Sequence, residues 1–192
     1  MSARAGAGSP VPDLDEQTVV STTDQMRALG SRLAGLLQAG DLVVLSGPLG
    51  AGKTTLAQGI GTGLGVRGRV TSPTFVIARL HPSLHGGPDL VHADAYRLGS
   101  RAEVDDLDLD ADLATSITLV EWGEGLVEDL APSFLIVDIR ADGDMSGKDT
   151  GAEAGLVTLD IDVPRTLRVR GIGDRWREPA AIGAIQRALT GG

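Results

Sequence analysis

The segment Asp41-Leu-Val-Val-Leu-Ser-Gly-Pro-Leu-Gly-Ala-Gly-Lys-Thr54 joins a short apolar run to a glycine-rich loop. The run Asp41–Ser46 contains two β-branched valines and predicts a buried strand. The loop Gly47–Thr54 fits the pattern G-x-x-x-x-G-K-[ST], and a helix is predicted over about Lys53–Leu64. A strand, a glycine loop and a helix in this order predict a cradle for the phosphates of a nucleoside triphosphate.

Each part of the loop has a chemical task. Glycines let the backbone turn so that successive N–H groups point at one anion, and the helix N-terminus adds a partial positive charge. We expect Lys53 to reach the β and γ phosphates and the Thr54 hydroxyl to ligate Mg²⁺. The strand before the loop and the helix after it argue against a chance match, so a nucleoside triphosphate with Mg²⁺ is the expected ligand, and ATP is preferred over GTP because a guanine-recognition motif is missing.

A magnesium nucleotide site also needs a carboxylate at the end of a neighbouring strand. Three acids compete for this role. Glu121 ends the apolar strand Ile117–Glu121, and Asp94 follows Leu90–Ala93 before a predicted loop. Asp138 lies within a strand that continues past it, so we expect it to be an ordinary outward residue. Glu121 and Asp94 are the favoured metal ligands, and Glu121 is also a candidate to polarise the attacking water.

The remaining pattern predicts an α/β fold of the P-loop NTPase type. Apolar residues at helical spacing predict a first helix over Thr22–Gln38, and another helix is expected after Gly123. Further strands are predicted over Thr74–Leu80, Asp89–His92, Ile117–Glu121, Phe134–Arg140 and Leu156–Val163. The last two strands have no helix between them. We therefore expect a mixed, mostly parallel sheet that is flanked by helices, with antiparallel strands toward the C-terminus.

Length and composition suit one globular domain. The chain has 192 residues, of which 42% are hydrophobic and 22% charged, so it can bury a core. Residues 1–16, rich in Ala, Gly, Ser and Pro, predict a flexible tail. Residues 17–170 are the expected P-loop ATPase domain, and residues 171–192 are expected to be a C-terminal tail or helix.

Composition also excludes several classes of site and partner. The chain has no cysteine, which excludes disulfides, thiolate zinc sites and a cysteine nucleophile. The net charge of −9 disfavours general nucleic-acid binding. The arginines between Arg165 and Arg177 form either a solvated strand and turn, which is the favoured interpretation, or a local nucleic-acid patch. Residues 1–15 match neither a secretory signal nor a transit peptide, and no apolar run could span a membrane. We expect a cytoplasmic protein without membrane contact.

Four blocks of sequence together resemble one bacterial family. They are Leu49-Gly-Ala-Gly-Lys-Thr-Thr55, Thr71-Ser-Pro-Thr-Phe75, His92-Ala-Asp-Ala-Tyr-Arg-Leu98 and Leu119-Val-Glu-Trp122. In this order and spacing they are similar to the ATPase of tRNA threonylcarbamoyladenosine biosynthesis, the TsaE or YjeE family. The resemblance covers about Gln17 to Leu130.

The resemblance implies an activity, a partner and a set of site residues. It implies an ATPase that acts with a two-subunit threonylcarbamoyl transferase, of the TsaD and TsaB type, on adenosine 37 of tRNA. The resemblance implies that this chain contacts tRNA only indirectly, through its complex with the transferase. The implied Mg²⁺ ligands are Thr54, Asp94 and Glu121, and the catalytic candidates are Lys53 and Glu121. The nucleotide-binding candidates are Gly47, Leu49, Gly50, Ala51, Gly52, Lys53, Thr54, Thr55, Thr71, Thr74 and Trp122.

Several residues keep alternative interpretations. Trp122 either packs over the nucleotide or fills the core. The turn Thr71–Thr74 either presents hydroxyls to the γ phosphate in a geometry fixed by Pro73 or is a plain loop before a strand. The resemblance implies a nucleotide-sensitive loop here. His81, His85 and His92 are expected to be solvated rather than to form a metal cluster.

Three other functions share the same loop. A small-molecule kinase would need an acceptor pocket and an arginine lid, for which Arg97 and Arg101 are candidates. A signalling GTPase would need an Asn-Lys-x-Asp segment, and Ser146–Asp149 contains a lysine but does not match that pattern. A non-catalytic scaffold would bind nucleotide without turnover. The preferred hypothesis is an ATPase that is weak alone and depends on partners.

Overall fold

The computed structural model describes residues 11–73, 78–96, 98, 100, 103–104, 112–141 and 163–191. The strands within these ranges are β1 (Leu14–Val20), β2 (Leu42–Ser46), β3 (Ala78–His81), β4 (Asp89–Asp94), β5 (Ser116–Glu121), β6 (Phe134–Ala141) and β7 (Arg165–Ile172). The helices are α1 (Thr23–Ala34), α2 (Lys53–Leu64), α3 (Asp174–Arg177) and α4 (Pro179–Thr190), with a 3₁₀ turn at Glu128–Leu130.

All the described strands belong to one sheet, in the order β1-β7-β6-β2-β5-β4-β3. β2 pairs in parallel with β5 and β6, and β5 pairs in parallel with β4. The pairs β1 with β7, β6 with β7, and β3 with β4 are antiparallel. The predicted α/β fold is therefore confirmed, with a parallel centre and an antiparallel pair toward the C-terminus.

The sheet has an apolar core on each face. On one face, Leu119 and Leu167 of the sheet pack in a cluster with Leu29 of α1, Ile60 of α2 and Ile185 of α4. The opposite face has a smaller cluster, which includes Leu42, Val44, Val120 and Val127. Strand β5 is buried along its whole length, as expected for a central parallel strand that is covered on both sides.

Helices α1 and α2 approach each other closely through glycines. A Cβ atom at Gly30 would collide with the backbone of α2, and one at Gly59 would collide with the Arg27 carbonyl on α1. A Cβ atom at Gly63 would lie 2.6 Å from that of Ala34. Several glycines of this sequence therefore serve the packing of helices rather than the binding of phosphate.

The boundaries of the first two helices follow the sequence closely. α2 spans the predicted range, between positive-φ glycines at Gly52 and Gly65. α1 begins after Thr22, whose Oγ1 accepts from the Gln25 N–H at 3.1 Å, as the capping-box spacing predicted. The helix ends at Ala34 instead of Gln38, because the next backbone N–H groups bond three residues back in tight turns.

Three other predicted elements differ from the structure or lie partly outside the described residues. The helix expected after Gly123 is wrong: turns and the 3₁₀ turn occupy this place, and Trp122 and Gly125 have φ values of 62° and 85°. The strand expected over Thr74–Leu80 is described only from Ala78. The strand expected over Leu156–Val163 lies outside the described residues except for Val163, which is not in a strand.

Strand β1, which was not predicted, and strand β7, which was expected only as a solvated strand, connect both ends of the described chain to the sheet. Residues 14–16 of the expected tail lie in β1, and the expected boundary at residue 170 falls inside β7. The expected C-terminal helix is α4. The Ala188 carbonyl accepts from Arg32 Nε at 2.6 Å, and the Leu189 carbonyl accepts from Thr18 Oγ1 at 3.1 Å. These bonds join α4 to α1 and β1.

Most of the arginines near the C-terminus form ion pairs. Arg168 contacts Asp15, Arg170 contacts Glu124, Arg175 contacts Asp41, and Arg177 contacts Asp13 and Asp174. Their segment forms β7 and the short helix α3, so the predicted strand is confirmed, but the expectation of a solvated strand is wrong because Leu167 and Val169 are buried. In the parts of the chain that the structure describes, no helix has the length and apolar character needed to cross a membrane.

The close contact between α1 and α2 predicts that alanine in place of a contact glycine destabilises the fold, whereas alanine in place of a glycine elsewhere does not. Gly59→Ala should lower the free energy of unfolding by about 2 kcal/mol or more, because the helices must move apart. Gly183→Ala on α4 is the control, since the nearest atom to its Cβ would be the flexible Arg187 Nη1 at 3.3 Å. Its effect should lie within about 1 kcal/mol of zero. Urea unfolding measures both values, and similar values would contradict this packing.

Candidate nucleotide site

The phosphate loop joins β2 to α2 as a tight turn. Gly47, Gly50 and Gly52 have φ values of 133°, 79° and 109°, which residues other than glycine rarely adopt. A side chain at Gly47 would also collide with the carbonyl of Ile139 on β6. Gly52 caps α2, whose first N–H groups have no acceptor within the helix. The turn therefore offers backbone donors to an anion.

Lys53 is buried inside this turn. Its Nζ donates to the carbonyl oxygens of Gly47 at 2.7 Å and Pro48 at 2.9 Å. Nζ also lies 3.6 Å from the centroid of the Trp122 ring, in cation–π contact. The ammonium group is therefore held close to the loop by neutral partners, and the oxygens of a phosphate would be stronger partners for it.

Glu121 ends β5 directly beside the start of α2. The residue is 3% exposed, and its Oε1 and Oε2 lie 3.0 and 3.2 Å from the Thr54 hydroxyl oxygen. Oε1 also lies 3.0 Å from Nε2 of His92. The carboxylate predicted from the strand end is thus in contact with the threonine predicted from the loop.

Asp94 ends β4 and is the register partner of Glu121. It is 7% exposed, and it accepts hydrogen bonds from the Tyr96 N–H at 3.0 Å and the Ser72 hydroxyl at 3.4 Å. Burial lowers the pKa of Lys53, while the charges of Glu121 and Asp94 act in the opposite direction. The two acids therefore partly offset the cost of burying the lysine charge.

Trp122 follows Glu121 and lies beside the loop. It is the only described residue other than glycine with a positive φ, 62°. Its N–H donates to the Leu45 carbonyl at 3.0 Å, and its ring centroid lies 5.1 Å from that of Tyr96. The ring is half-buried rather than enclosed in either apolar core. The ring therefore lines the cleft and does not fill the core, which was the second of the two interpretations of Trp122.

These groups surround one cleft of about 470 Å³. The predicted site residues that line it are Leu49, Gly50, Gly52, Lys53, Thr54, Thr55, Asp94, Glu121 and Trp122. Gly47 and Ala51 belong to the loop but do not line the cleft, and Thr71 is exposed, with its hydroxyl 3.4 Å from Arg79 Nη1. Thr74 lies outside the described residues. Ser72 and Tyr96 line the cleft although sequence reasoning did not select them.

The donor atoms of the cleft suit Mg²⁺. This ion prefers oxygen ligands, and in nucleotide sites it needs only one or two carboxylates because phosphates supply further oxygens. Thr54, Asp94 and Glu121 provide a hydroxyl and two carboxylates to the lining of the cleft, where Glu121 contacts Thr54 and is the register partner of Asp94. Within the described residues, no three His, Cys, Asp or Glu side chains gather as an all-protein metal site. The set therefore fits a metal that is bound together with phosphate.

The expectation of solvated histidines holds only for His85. His81 is 3% exposed and His92 is fully buried, so the expectation is wrong for both. The Nδ1 of His81 lies 3.5 Å from the Arg67 carbonyl, and burial lowers the pKa of His81. His92 is the residue that sequence reasoning missed. Its position two residues before Asp94 puts it on the same face of β4, which is a signal that strand alternation offered.

Glu124 connects the loop after β5 to the rest of the sheet. Its Oε2 accepts from the Ser46 hydroxyl at 2.6 Å, and its Oε1 accepts from Arg170 at 2.9 Å. Burial raises the pKa of Glu124, but the hydrogen bonds from Ser46 and Arg170 outweigh this effect, so that the pKa is lowered overall. Glu124 thereby links the residue before the phosphate loop, the Trp122 turn and β7.

A family model described as "Threonylcarbamoyl adenosine biosynthesis protein TsaE" matches residues 20–149. The chain belongs to the TsaE family. It is 58% identical over 153 residues to the tRNA threonylcarbamoyladenosine biosynthesis protein TsaE of Streptomyces coelicolor, which covers 79% of this chain and 93% of that protein. The protein of the same name from Bacillus subtilis is 36% identical over 122 residues, covering 63% of this chain and 75% of the relative.

A solved structure agrees with this membership of the TsaE family. The crystal structure of Bacillus subtilis YdiB matches with a TM-score of 0.62 and 25% identity, over 90% of this chain and 95% of that one. The resemblance that the four sequence blocks suggested is therefore confirmed, together with the P-loop fold.

The lowered pKa of Glu124 predicts a pH-dependent effect. The ionised carboxylate is the bonded form, so its stabilisation is complete above the unfolded pKa and is lost as pH falls through the lowered, folded value. Glu124→Gln should cost no more than about 1 kcal/mol at neutral pH, because the pair is partly exposed. The cost should shrink below about pH 4.

Urea unfolding of Glu124→Gln, Arg170→Gln and the double variant at both pH values measures this effect. The double variant should cost less than the sum of the single costs, because the partners share one interaction. A cost that is the same in acid and at neutral pH would contradict the role of the charge.

Proposed function

We propose that this chain is a Mg-dependent ATPase of tRNA threonylcarbamoyladenosine biosynthesis. It acts in the cytoplasm with a two-subunit threonylcarbamoyl transferase of the TsaD and TsaB type, which modifies adenosine 37 of tRNA. The observation that carries the ATPase proposal is the contact between Thr54 and Glu121 inside the cleft of the phosphate loop. Membership of the TsaE family supports the pathway, since the relatives are named for this biosynthesis.

The loop binds the phosphates. Backbone N–H groups from Gly50 to Thr55 donate to the phosphate oxygens, and the partial positive charge of the α2 N-terminus adds to the attraction. Lys53 exchanges its carbonyl partners for oxygens of the β and γ phosphates. Trp122 bounds the same cleft and limits the space that these groups share.

Glu121 serves the hydrolytic step. A water oxygen attacks the γ phosphorus, the bond to the bridging oxygen of ADP breaks, and the water protons leave with inorganic phosphate or to solvent. Glu121 accepts a hydrogen bond from this water and orients it, and Lys53 stabilises the negative charge on the phosphate oxygens. When bound, Mg²⁺ would be held by Thr54, Asp94 and Glu121 and would neutralise phosphate charge.

Dependence on a partner agrees with the open cleft. Leu49 and Tyr96 line it and are 83% and 65% exposed, so water has free access. Catalysis by fixed charges weakens in a site that contains bulk water, because the local dielectric is high. Weak hydrolysis alone and faster hydrolysis in the complex are therefore expected.

A small-molecule kinase is the second candidate. It would use the same loop and the same metal ligands, so the cleft alone supports it equally. Arg97 and Arg101, the lid candidates, lie outside the described residues. A phosphorylated acceptor would identify this activity, whereas the ATPase gives only ADP and inorganic phosphate.

Phosphate release from Mg-ATP is the test of the proposed activity. The purified chain should be slow alone and faster with the transferase and its tRNA, and Lys53→Ala should remove at least about 99% of the stimulated rate. Arg168→Ala, a change outside the cleft, is the control and should keep the stimulation. Tight nucleotide binding with no stimulation would contradict the tRNA modification role.

The role of Glu121 gives a second prediction. Glu121→Gln should lower kcat by about 100-fold, because the charged acceptor for the water is lost. Its affinity for ATP without Mg²⁺ should stay within about threefold of the parent value. Asp138→Asn is the matched control, since Asp138 is paired with Arg140 at 3.0 Å and does not line the cleft. Equal kcat values for the two variants would exclude Glu121 from the chemical step.

A further inference from the structure

A fully buried histidine touches the acid at the end of β5. His92 has no exposed surface, and its Nε2 lies 3.0 Å from Oε1 of Glu121. His92 pairs with Leu119 in the register of β4 and β5, and Asp94 pairs with Glu121. Side chains alternate between the faces of a sheet, so Leu90, His92 and Asp94 share one face. The imidazole therefore lies between the apolar core and the acidic end of the cleft.

The hydrogen-bonding groups assign a proton to Nε2 of His92. An ionised carboxylate only accepts hydrogen bonds, so the ring nitrogen that faces Glu121 must donate. The other nitrogen, Nδ1, is buried and has no hydrogen-bond partner among the described residues. A proton on Nδ1 would be a buried donor without an acceptor, which is unfavourable. The tautomer with its proton on Nε2 is therefore favoured.

Glu121 is contacted by the Thr54 hydroxyl and by the His92 ring, and only the hydroxyl is also proposed to bind the metal. The Thr54 hydroxyl has one proton, which it can direct to Oε1 or Oε2 of Glu121. Thr54 is also a proposed ligand of Mg²⁺. His92 does not line the cleft, and Glu121 does. A rigid, buried ring that holds one carboxylate oxygen reduces the rotamer freedom of the glutamate without touching the ligand.

We propose that His92 is a positioning residue, whose Nε2–H group holds Oε1 of Glu121 and keeps the carboxylate in one orientation at the cleft. This inference rests on the proposed function, in which Glu121 serves ATP hydrolysis. The competing explanation is that His92 only fills space beside Glu121. The two explanations differ in whether the donor group, rather than the volume, is required.

Two substitutions at position 92 distinguish a need for the hydrogen-bond donor from a need for the side-chain volume. His92→Gln keeps an N–H donor near the position of Nε2, and His92→Leu keeps an apolar side chain of similar size without a donor. With the transferase and tRNA present, His92→Leu should lower kcat by about 10- to 100-fold, as is typical when the support of a functional ligand is removed. His92→Gln should recover most of this loss, and KM for ATP should change less than about threefold in both.

Equal losses in the two variants would overturn the proposal, and so would a rise in KM with kcat unchanged. Thermal unfolding of both variants shows whether folding is retained. If His92→Leu does not fold, the spectroscopic measurement on the parent chain decides the matter.

Nitrogen NMR of the imidazole rings tests the hydrogen bond between His92 and Glu121 independently of enzyme activity. His92 in the parent chain should be the Nε2–H tautomer, assigned by the loss of its signals in His92→Gln. Glu121→Gln should shift the Nε2 signal and leave that of His85 unchanged. An Nδ1–H tautomer, or no response to Glu121→Gln, would overturn the proposal. Absence of hydrolysis in the parent chain, with the expected spectrum, would instead remove the proposed function and leave the hydrogen bond established.

Discussion

The parallel pairing of β2 with β5, and of β5 with β4, is the constraint on which the site depends. These strands run in the same direction, so Ser46, Glu121 and Asp94 end at one edge of the sheet. The phosphate loop leaves β2 at this edge, and α2 returns so that Thr54 meets Glu121. A slip of one residue in β5 would turn Glu121 to the opposite face and separate it from Thr54. Burial of every residue in β5 opposes such a slip.

The polar groups at this edge form a cluster that is complementary to a charged ligand. Lys53, Asp94 and Glu121 are all buried, and burial of charge is costly unless opposite charges or hydrogen bonds offset it. Carbonyl groups and the Trp122 ring contact the lysine, while hydroxyl, imidazole and backbone donors contact the acids. A phosphate bound with a cation offers each group a stronger partner. The cluster is therefore better explained by ligand binding than by stability alone.

The sequence was most informative where the determinants are local. The strand before the phosphate loop, the loop and α2 follow from valines, glycines and helical spacing within one segment, and the structure agrees over Lys53–Leu64. β7 was expected to be solvated because arginines alternate with its Leu167 and Val169, which are in fact buried, and the arginine charges are balanced by distant acids such as Asp15. His92 was expected to be solvated because its partner is also distant in the sequence. Its partner, Glu121, lies on another strand, and only the pairing of β4 with β5 brings the two together.

We propose that Mg-ATP binds between the phosphate loop and the ends of β4 and β5. A crystal structure of the chain with Mg²⁺ and a non-hydrolysable ATP analogue tests it most directly. We expect phosphate oxygens to accept from the N–H groups of the loop, the metal to lie near Thr54 and Glu121, and Lys53 Nζ to contact phosphate instead of the Gly47 carbonyl. A nucleotide bound outside this cleft, or phosphates in the cleft with Lys53 still on the Gly47 and Pro48 carbonyls, would contradict it.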